Sequence, residues 1–142
     1  MPSDTVFKAL NAVHKLVLKT SWNRLGWHLG NMPVLRLTTI GRVSGRPRSV
    51  MLTVPYQDAG RIVVVASKGG EPRHPAWLLN LRENPSVAVR MKGQVTSQMR
   101  ARVAFGNERA RLWNIVTTAH PRYARYQSIT QREIPLVLLE KE

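Results

Sequence analysis

The chain has 142 residues, 43% of them hydrophobic and 21% charged, with no cysteine and a formal net charge of +14. That length suits one domain burying roughly 70% of its unfolded surface, and the missing cysteines exclude disulfides, iron–sulfur ligation, a thiol nucleophile and cysteine–zinc sites. Sixteen of the 22 basic residues are arginine, which suits planar, bidentate recognition of phosphate and carboxylate, so the expected partner is anionic: nucleic acid, a membrane surface, or an acidic cofactor or substrate.

Val6, Phe7, Leu10, Val13, Leu16 and Val17 recur at three- and four-residue intervals, which predicts a helix over 5–20 capped by Ser3 or Asp4, with Lys8, Lys15 and Lys19 off the apolar stripe. Trp22 and Trp27 follow. This basic amphipathic segment, residues 1–30, is either a helix packed on the domain or a membrane-surface anchor. Beyond Pro33 the pattern turns to strands: Val34–Ile40, Arg48–Tyr56 and Arg61–Ser67, the last two joined by a turn at Asp58-Ala59-Gly60. Pro75–Glu83 reads as a short helix stopped by Asn84-Pro85. Ser86–Lys92 and Val95–Ala104 form a hairpin around Lys92-Gly93, and Asn107 caps a helix reaching Thr118. Pro121–Ser128 is a tyrosine-bearing connection, and Ile134–Leu139 is the last strand. Hairpin-length links predominate, so the expected fold is α+β and mainly β, an antiparallel barrel with helices outside rather than a doubly wound parallel sheet. No apolar run approaches the roughly 20 residues of a spanning helix, and Met1-Pro2-Ser3-Asp4 does not begin a signal peptide. A cytoplasmic location is expected, with peripheral membrane contact through residues 5–20 as the open alternative.

Three segments could carry chemistry. Gly41-Arg42-Val43-Ser44-Gly45-Arg46-Pro47-Arg48 links two strands and surrounds a glycine turn with three arginines and a serine, a set that can hold a phosphate or remain a solvated basic loop. It lacks the Gly-Lys-Ser/Thr of a Walker loop and the Gly-x-Ser-x-Gly of a nucleophile elbow. Ser67-Lys68-Gly69-Gly70 ends the third strand and runs toward a helix start, an anion-binding arrangement or an ordinary connection. Tyr123 and Tyr126, three apart with His120 before them, either share a face near an acceptor or pack in the core. The four histidines are scattered, no Asp-x-Asp pair exists, and no Gly-x-Gly-x-x-Gly follows a strand, so metal, glycosidase and Rossmann chemistry lack support.

Taken together, Leu37-Thr38-Thr39-Ile40-Gly41-Arg42-Val43-Ser44-Gly45-Arg46-Pro47-Arg48, Ala66-Ser67-Lys68-Gly69-Gly70, His74-Pro75-Ala76-Trp77-Leu78-Leu79-Asn80-Leu81, Asn84-Pro85, Tyr123-Ala124-Arg125-Tyr126-Gln127-Ser128 and Ile134-Pro135 resemble the signature of the deazaflavin-dependent nitroreductase family of mycobacteria and other actinobacteria. The resemblance covers roughly residues 33–140. It implies a split β-barrel like that of flavin reductases over 31–142, often dimeric and sometimes membrane-associated. The implied cofactor is coenzyme F420, with its phosphate and acidic oligoglutamyl tail. The implied chemistry is hydride transfer to a quinone, nitroaromatic or enone.

By motif position, the resemblance places Arg42, Ser44, Arg46 and Arg48 near the phosphate or tail. Ser67, Lys68 and Gly69, with Ala66 beside them, would meet the phosphate or ring. Trp77 and Asn80 would border the cofactor, Met51 and Tyr56 would lie along the ring, and His120, Tyr123 and Tyr126 would line the acceptor pocket. Tyr123, Tyr126 and Ser67 are the candidates for a catalytic part. The family's nitroreductase type has a tyrosine where His120 stands, which separates acceptor choice from cofactor binding. The alternatives are an FMN-binding or haem-related member of the same barrel superfamily, and a non-enzymatic module for nucleic acid or a membrane surface; only 6% of residues are aromatic and no basic recognition helix or stacking platform is evident, so nucleic acid is disfavoured.

Overall fold

The computed structural model describes residues 28–29 and 32–142. The helix expected over 5–20, and with it the separate segment 1–30, falls largely outside them. Eight strands make one antiparallel sheet: β1 (His28–Leu29), β2 (Met32–Ile40), β3 (Pro47–Thr53), β4 (Tyr56–Asp58), β5 (Arg61–Val65), β6 (Ser86–Met91), β7 (Ser97–Val103) and β8 (Leu136–Lys141). Their order is β1-β2-β6-β7-β8-β5-β4, and β3 pairs with β2 along Val34↔Thr53 to Ile40↔Pro47. Among the described residues there are three α-helices: α1 (Ala76–Glu83), α2 (Gly106–Ala119) and α3 (Arg122–Ser128).

The sheet curls because one of its faces is lined with apolar side chains that must meet each other. Leu35 and Leu37 from β2, Val87 and Val89 from β6, Met99 and Ala101 from β7, Val137 and Leu139 from β8 and Val64 from β5 form the interior cluster, closed by Trp77, Leu78 and Leu81 of α1. The opposite face of β5 and β8, carrying Val63, Val65, Leu136 and Leu138, is covered by Leu112 and Val116 of α2 and Tyr123 of α3. Residues 136–139 of β8 are therefore buried on both sides, which explains an apolar run with no alternation.

The expected elements are present, with corrections at their edges. The strand expected over Arg48–Tyr56 is two strands broken at Val54-Pro55, because proline has no N–H for the ladder; the Val54 amide instead reaches the Pro33 carbonyl at 2.8 Å. The hairpin ladder ends at the Val89↔Ser97 pair, leaving a wider turn than a two-residue Lys92-Gly93 link. Asn107 is not the cap of α2: Gly106, at φ +61°, turns the chain into the helix a residue earlier, and Phe105 takes the cap position without a side-chain bond. The connection over Pro121–Ser128 is itself helical.

A chain of ion pairs laces β4, β5, β7, β8 and α2 on the face of the sheet that α2 and α3 cover. Asp58 meets Arg61 at 2.8 Å, Arg61 meets Glu108 at 3.6 Å, and Arg102 meets Glu108 and Glu140 at 2.6 Å each. Arg102 holds Glu108 well below the usual carboxylate range.

Candidate active site

The 41–48 loop is built around one contact. Gly41 donates its N–H to the Arg46 carbonyl at 2.8 Å, Gly45 returns a 2.8 Å bond to the Gly41 carbonyl, and the Ser44 hydroxyl accepts the Arg46 N–H at 3.2 Å. Gly45 is at φ +70°, where side chains rarely go. A Cβ on Gly41 would lie 2.6 Å from Ser44 Oγ, 3.3 Å from the Arg46 carbonyl oxygen and 3.5 Å from Arg48 Cγ, so a side chain there would push the Ser44 hydroxyl aside. Asn80 of α1, 4% exposed, pins it from below. Its Oδ1 accepts the Arg42 N–H at 3.1 Å and Arg42 Nη1 at 3.0 Å, while its Nδ2 donates to Thr39 Oγ1 at 3.2 Å. Arg42 is thus spent on the loop itself. The guanidinium groups of Arg46 and Arg48 are solvent-exposed and have no partner among the described residues.

The second turn begins where β5 ends. Ser67 is right-handed helical (φ −77°, ψ −37°), Lys68 follows at φ +46°, and Gly69 and Gly70 stay left-handed at +64° and +84°. A right-handed residue followed by a left-handed one curls successive N–H groups into a concavity that receives anions. Lys68 is the only non-glycine at positive φ among the described residues, and such strain persists where surrounding contacts over-determine it. Burial pulls the Lys68 ammonium below its ordinary value, with Glu71 opposing. Gly70 touches α3: a Cβ there would come within 2.8 Å of the Tyr126 carbonyl.

The tyrosines have different environments. Tyr123 is 4% exposed, and its hydroxyl shares a 2.8 Å bond with Thr53 Oγ1 and donates to Met32 Sδ at 3.6 Å. Burial pushes the Tyr123 phenol up, and the Thr53 bond opposes that shift. Tyr126 is half-buried, edge-on to Tyr123 at 6.1 Å, and His120 is edge-on to Tyr123 at 6.4 Å.

The turn at 67–70 runs into α1, the 41–48 loop is pinned to α1, and α3 abuts the turn, so the three candidate segments adjoin one another. Other expected residues sit deeper. Trp77 and Ala66 belong to the interior cluster, and Ala66 offers only its peptide group. Met51 pairs with Val34 on the face turned away from that interior. Tyr56 packs against the second cluster, as Tyr126 does, and donates to Asp58 Oδ2 at 3.3 Å. Sequence reasoning missed Thr53, Gln127 and Arg132. The Arg132 guanidinium bonds to the carbonyls of Ala66, Ser67 and Glu71, main-chain partners that no residue pattern announces.

Residues 12–141 match the sequence model of the family described as F420H(2)-dependent quinone reductase. The chain belongs to this family. It is 36% identical over 133 residues to the F420H(2)-dependent quinone reductase of Mycobacterium tuberculosis, covering 91% of this chain and 88% of that protein. A solved F420-H2 dependent reductase, FDR-A, is 39% identical with a TM-score of 0.67 and covers 76% of this chain and 94% of its own. A further solved structure, described as a domain-swapped dimer, is 34% identical with a TM-score of 0.70 over 94% of this chain and 98% of its own. The mainly antiparallel sheet with flanking helices is accordingly the split β-barrel of the F420-dependent reductases. Among the described residues, no helix is long and apolar enough to cross a membrane.

Proposed function

We propose that this member of the quinone reductase family binds coenzyme F420 and passes two electrons to a quinone-class acceptor. The observation that carries the reading is the convergence on α1 of two tight glycine turns with cationic side chains, beside a helix bearing two tyrosines. The donor set fits the cofactor: a phosphate and an acidic tail call for guanidinium forks and main-chain N–H groups. Arg46 and Arg48 have no competing partner among the described residues, and the closure at Gly41 would be filled by any Cβ.

When bound, the reduced deazaflavin supplies the hydride. The protein's own part is binding, orientation and proton placement. Ser44, Arg46 and Arg48 would meet the phosphate or tail, with Arg42 and Asn80 fixing their loop. Ser67, Lys68 and Gly69 would present a hydroxyl, an ammonium and main-chain donors to the phosphate or ring. Met51 and Trp77 hold the surrounding framework in place. Tyr126 and His120 would face the acceptor. Tyr123, its phenol kept protonated by burial and oriented by Thr53, would back them. Peripheral membrane contact through residues 5–20 would bring the site to lipid-soluble quinones, and liposome co-sedimentation with and without that segment tests it.

The deciding experiment is fluorescence titration with oxidised coenzyme F420, with FMN in parallel, followed by turnover of the reduced cofactor with a soluble naphthoquinone. Saturable F420 binding, weak FMN binding and quinone-dependent cofactor oxidation are expected. FMN binding alone, or no binding of either, refutes the proposal. His120→Tyr is expected to change acceptor preference at constant cofactor affinity; weaker cofactor binding with unchanged preference would remove His120 from the acceptor side.

A further inference from the structure

We infer that Arg132 is a positioning residue for the Ser67–Gly70 turn, fixing the direction in which that turn's N–H groups point; this rests on the cofactor reading above. Its guanidinium lies behind the turn with four contacts. Nε donates to the Glu71 carbonyl at 2.8 Å, Nη1 to the Ala66 carbonyl at 3.1 Å, and Nη2 to the Ser67 carbonyl at 2.8 Å. Nη1 also stands 3.1 Å from His74 Nδ1. These take four of its five N–H groups.

The geometric consequence follows from the planar trans peptide, in which the carbonyl of one residue and the N–H of the next point in opposite directions. All peptides among the described residues are trans. Drawing the Ala66 and Ser67 carbonyls onto the guanidinium turns the N–H groups of Ser67 and Lys68 away from it. Those two groups belong to the right-then-left-handed pair that forms an anion-receiving concavity. Arg132 thus sets the peptide planes, and its contacts hold Lys68 at a φ that its side chain disfavours.

Its charge acts in the same direction. Burial alone lowers the Arg132 guanidinium from its ordinary value, and no carboxylate among the described residues pairs with it. The hydrogen-bond partners of this positive charge among the described residues are three carbonyl dipoles and one imidazole. His74 accepts that bond as a neutral ring, kept neutral by burial and by the neighbouring Arg132 and Arg82 charges. Arg132 is itself held by α3: Gln127 Nε2 donates to the Arg132 carbonyl at 2.7 Å, and Gln127 Oε1 accepts the Ile134 N–H at 2.9 Å. The helix carrying Tyr123 and Tyr126 therefore also places the fork behind the turn.

The test compares two probes on the full chain: coenzyme F420, and the same deazaflavin riboside ending in a hydroxyl instead of the phosphate and tail. R132K keeps the charge and loses the fork; R132Q loses both. Each is expected to weaken F420 binding by at least about tenfold, a factor fluorescence titration resolves, while riboside affinity stays within about twofold of wild type. A merely structural loss would weaken both probes alike. Equal weakening of both, or wild-type F420 affinity in both variants, overturns the proposal. If R132Q does not fold by circular dichroism, R132K and H74A carry the comparison; H74A removes only the imidazole and is expected to weaken F420 selectively by a smaller factor, and no selective change in either overturns the proposal. A wild-type protein that binds the riboside and F420 equally, or neither, fails at the cofactor reading itself, which separates that failure from one confined to the variants.

Discussion

Gly70→Ala tests the contact between the 67–70 turn and α3. The added Cβ would lie 2.6 Å from Ile129 Cγ1, 2.7 Å from Ile129 Cδ1 and 2.8 Å from the Tyr126 carbonyl oxygen, at φ +84°. The Ile129 side chain is 58% exposed and can swing aside at small cost. The carbonyl cannot, because it is part of the last turn of α3 and accepts the Ile129 N–H at 3.3 Å. The left-handed backbone costs about 1–2 kcal/mol for alanine, and shifting a packed helix end costs about 1–3 kcal/mol. The sum is roughly 2–5 kcal/mol, or a fall in Tm of about 6–15 °C at roughly 3 °C per kcal/mol. Urea unfolding of wild type, G70A, I129A and the double variant closes a cycle. Only the side-chain part can be relieved by I129A, so less than about 1 kcal/mol of coupling is expected. Wild-type stability in G70A, or full recovery in the double variant, would refute the assignment of the clash to the backbone.

Other predictions concern the groups around the site. Thr53→Val removes the hydroxyl shared with Tyr123 at nearly constant volume; stability is expected to fall by about 1–2 kcal/mol, and the Tyr123 phenol, losing an interaction that lowers it, titrates higher still in an ultraviolet pH titration. Unchanged titration would separate the two hydroxyls. Asn80→Ala breaks three bonds, two to Arg42 and one to buried Thr39; about 2–3 kcal/mol of destabilisation is expected by chemical denaturation, discounting the exposed Arg42 contact. Equal denaturation midpoints would mean that the clamp contributes nothing. His74 has its folded-state value depressed below 6.5, so its contribution to stability is complete above that pH and is lost as pH falls from 6.5 toward the folded value. H74Q is expected to flatten the pH dependence of urea stability in that window, and an identical slope in both proteins counts against it.

What the sequence made visible was what local patterns encode. The residues 34–40 and 61–65 announced strands because alternation or an apolar run marks a face against the interior, and Pro75 with Asn84-Pro85 bracketed α1 by chain stereochemistry. Two tyrosines three apart could be assigned to one side of a turn, but which of them would be buried depends on what α3 packs against; Thr53 and Met32 lie 70 and 91 positions away from Tyr123. Arg132 escaped notice for the same reason in stronger form. Its partners are carbonyl oxygens 61 to 66 residues upstream, and a main-chain acceptor leaves no trace in residue identity. Both glycine turns could be read from their glycines and basic residues alone, while the separation of Arg42, spent on Asn80, from Arg46 and Arg48 needed coordinates.

The ion pairs on the α2 face of the sheet gather acidic side chains at one end of β5. Asp58, Glu108 and Glu140 are three of only eight acidic residues, and they are gathered around Arg61 and Arg102. Arg61 opens β5 and Ser67 follows its other end, a separation of roughly 20 Å at strand rise, more than two screening lengths at physiological ionic strength. Those three carboxylates are therefore largely screened from the Ser67–Gly70 turn, where Glu71 is the carboxylate that acts on Lys68. An approaching polyanion meets the exposed Arg46 and Arg48, so its capture rate is expected to fall steeply with salt, whereas its residence time follows the short-range contacts and stays nearly constant.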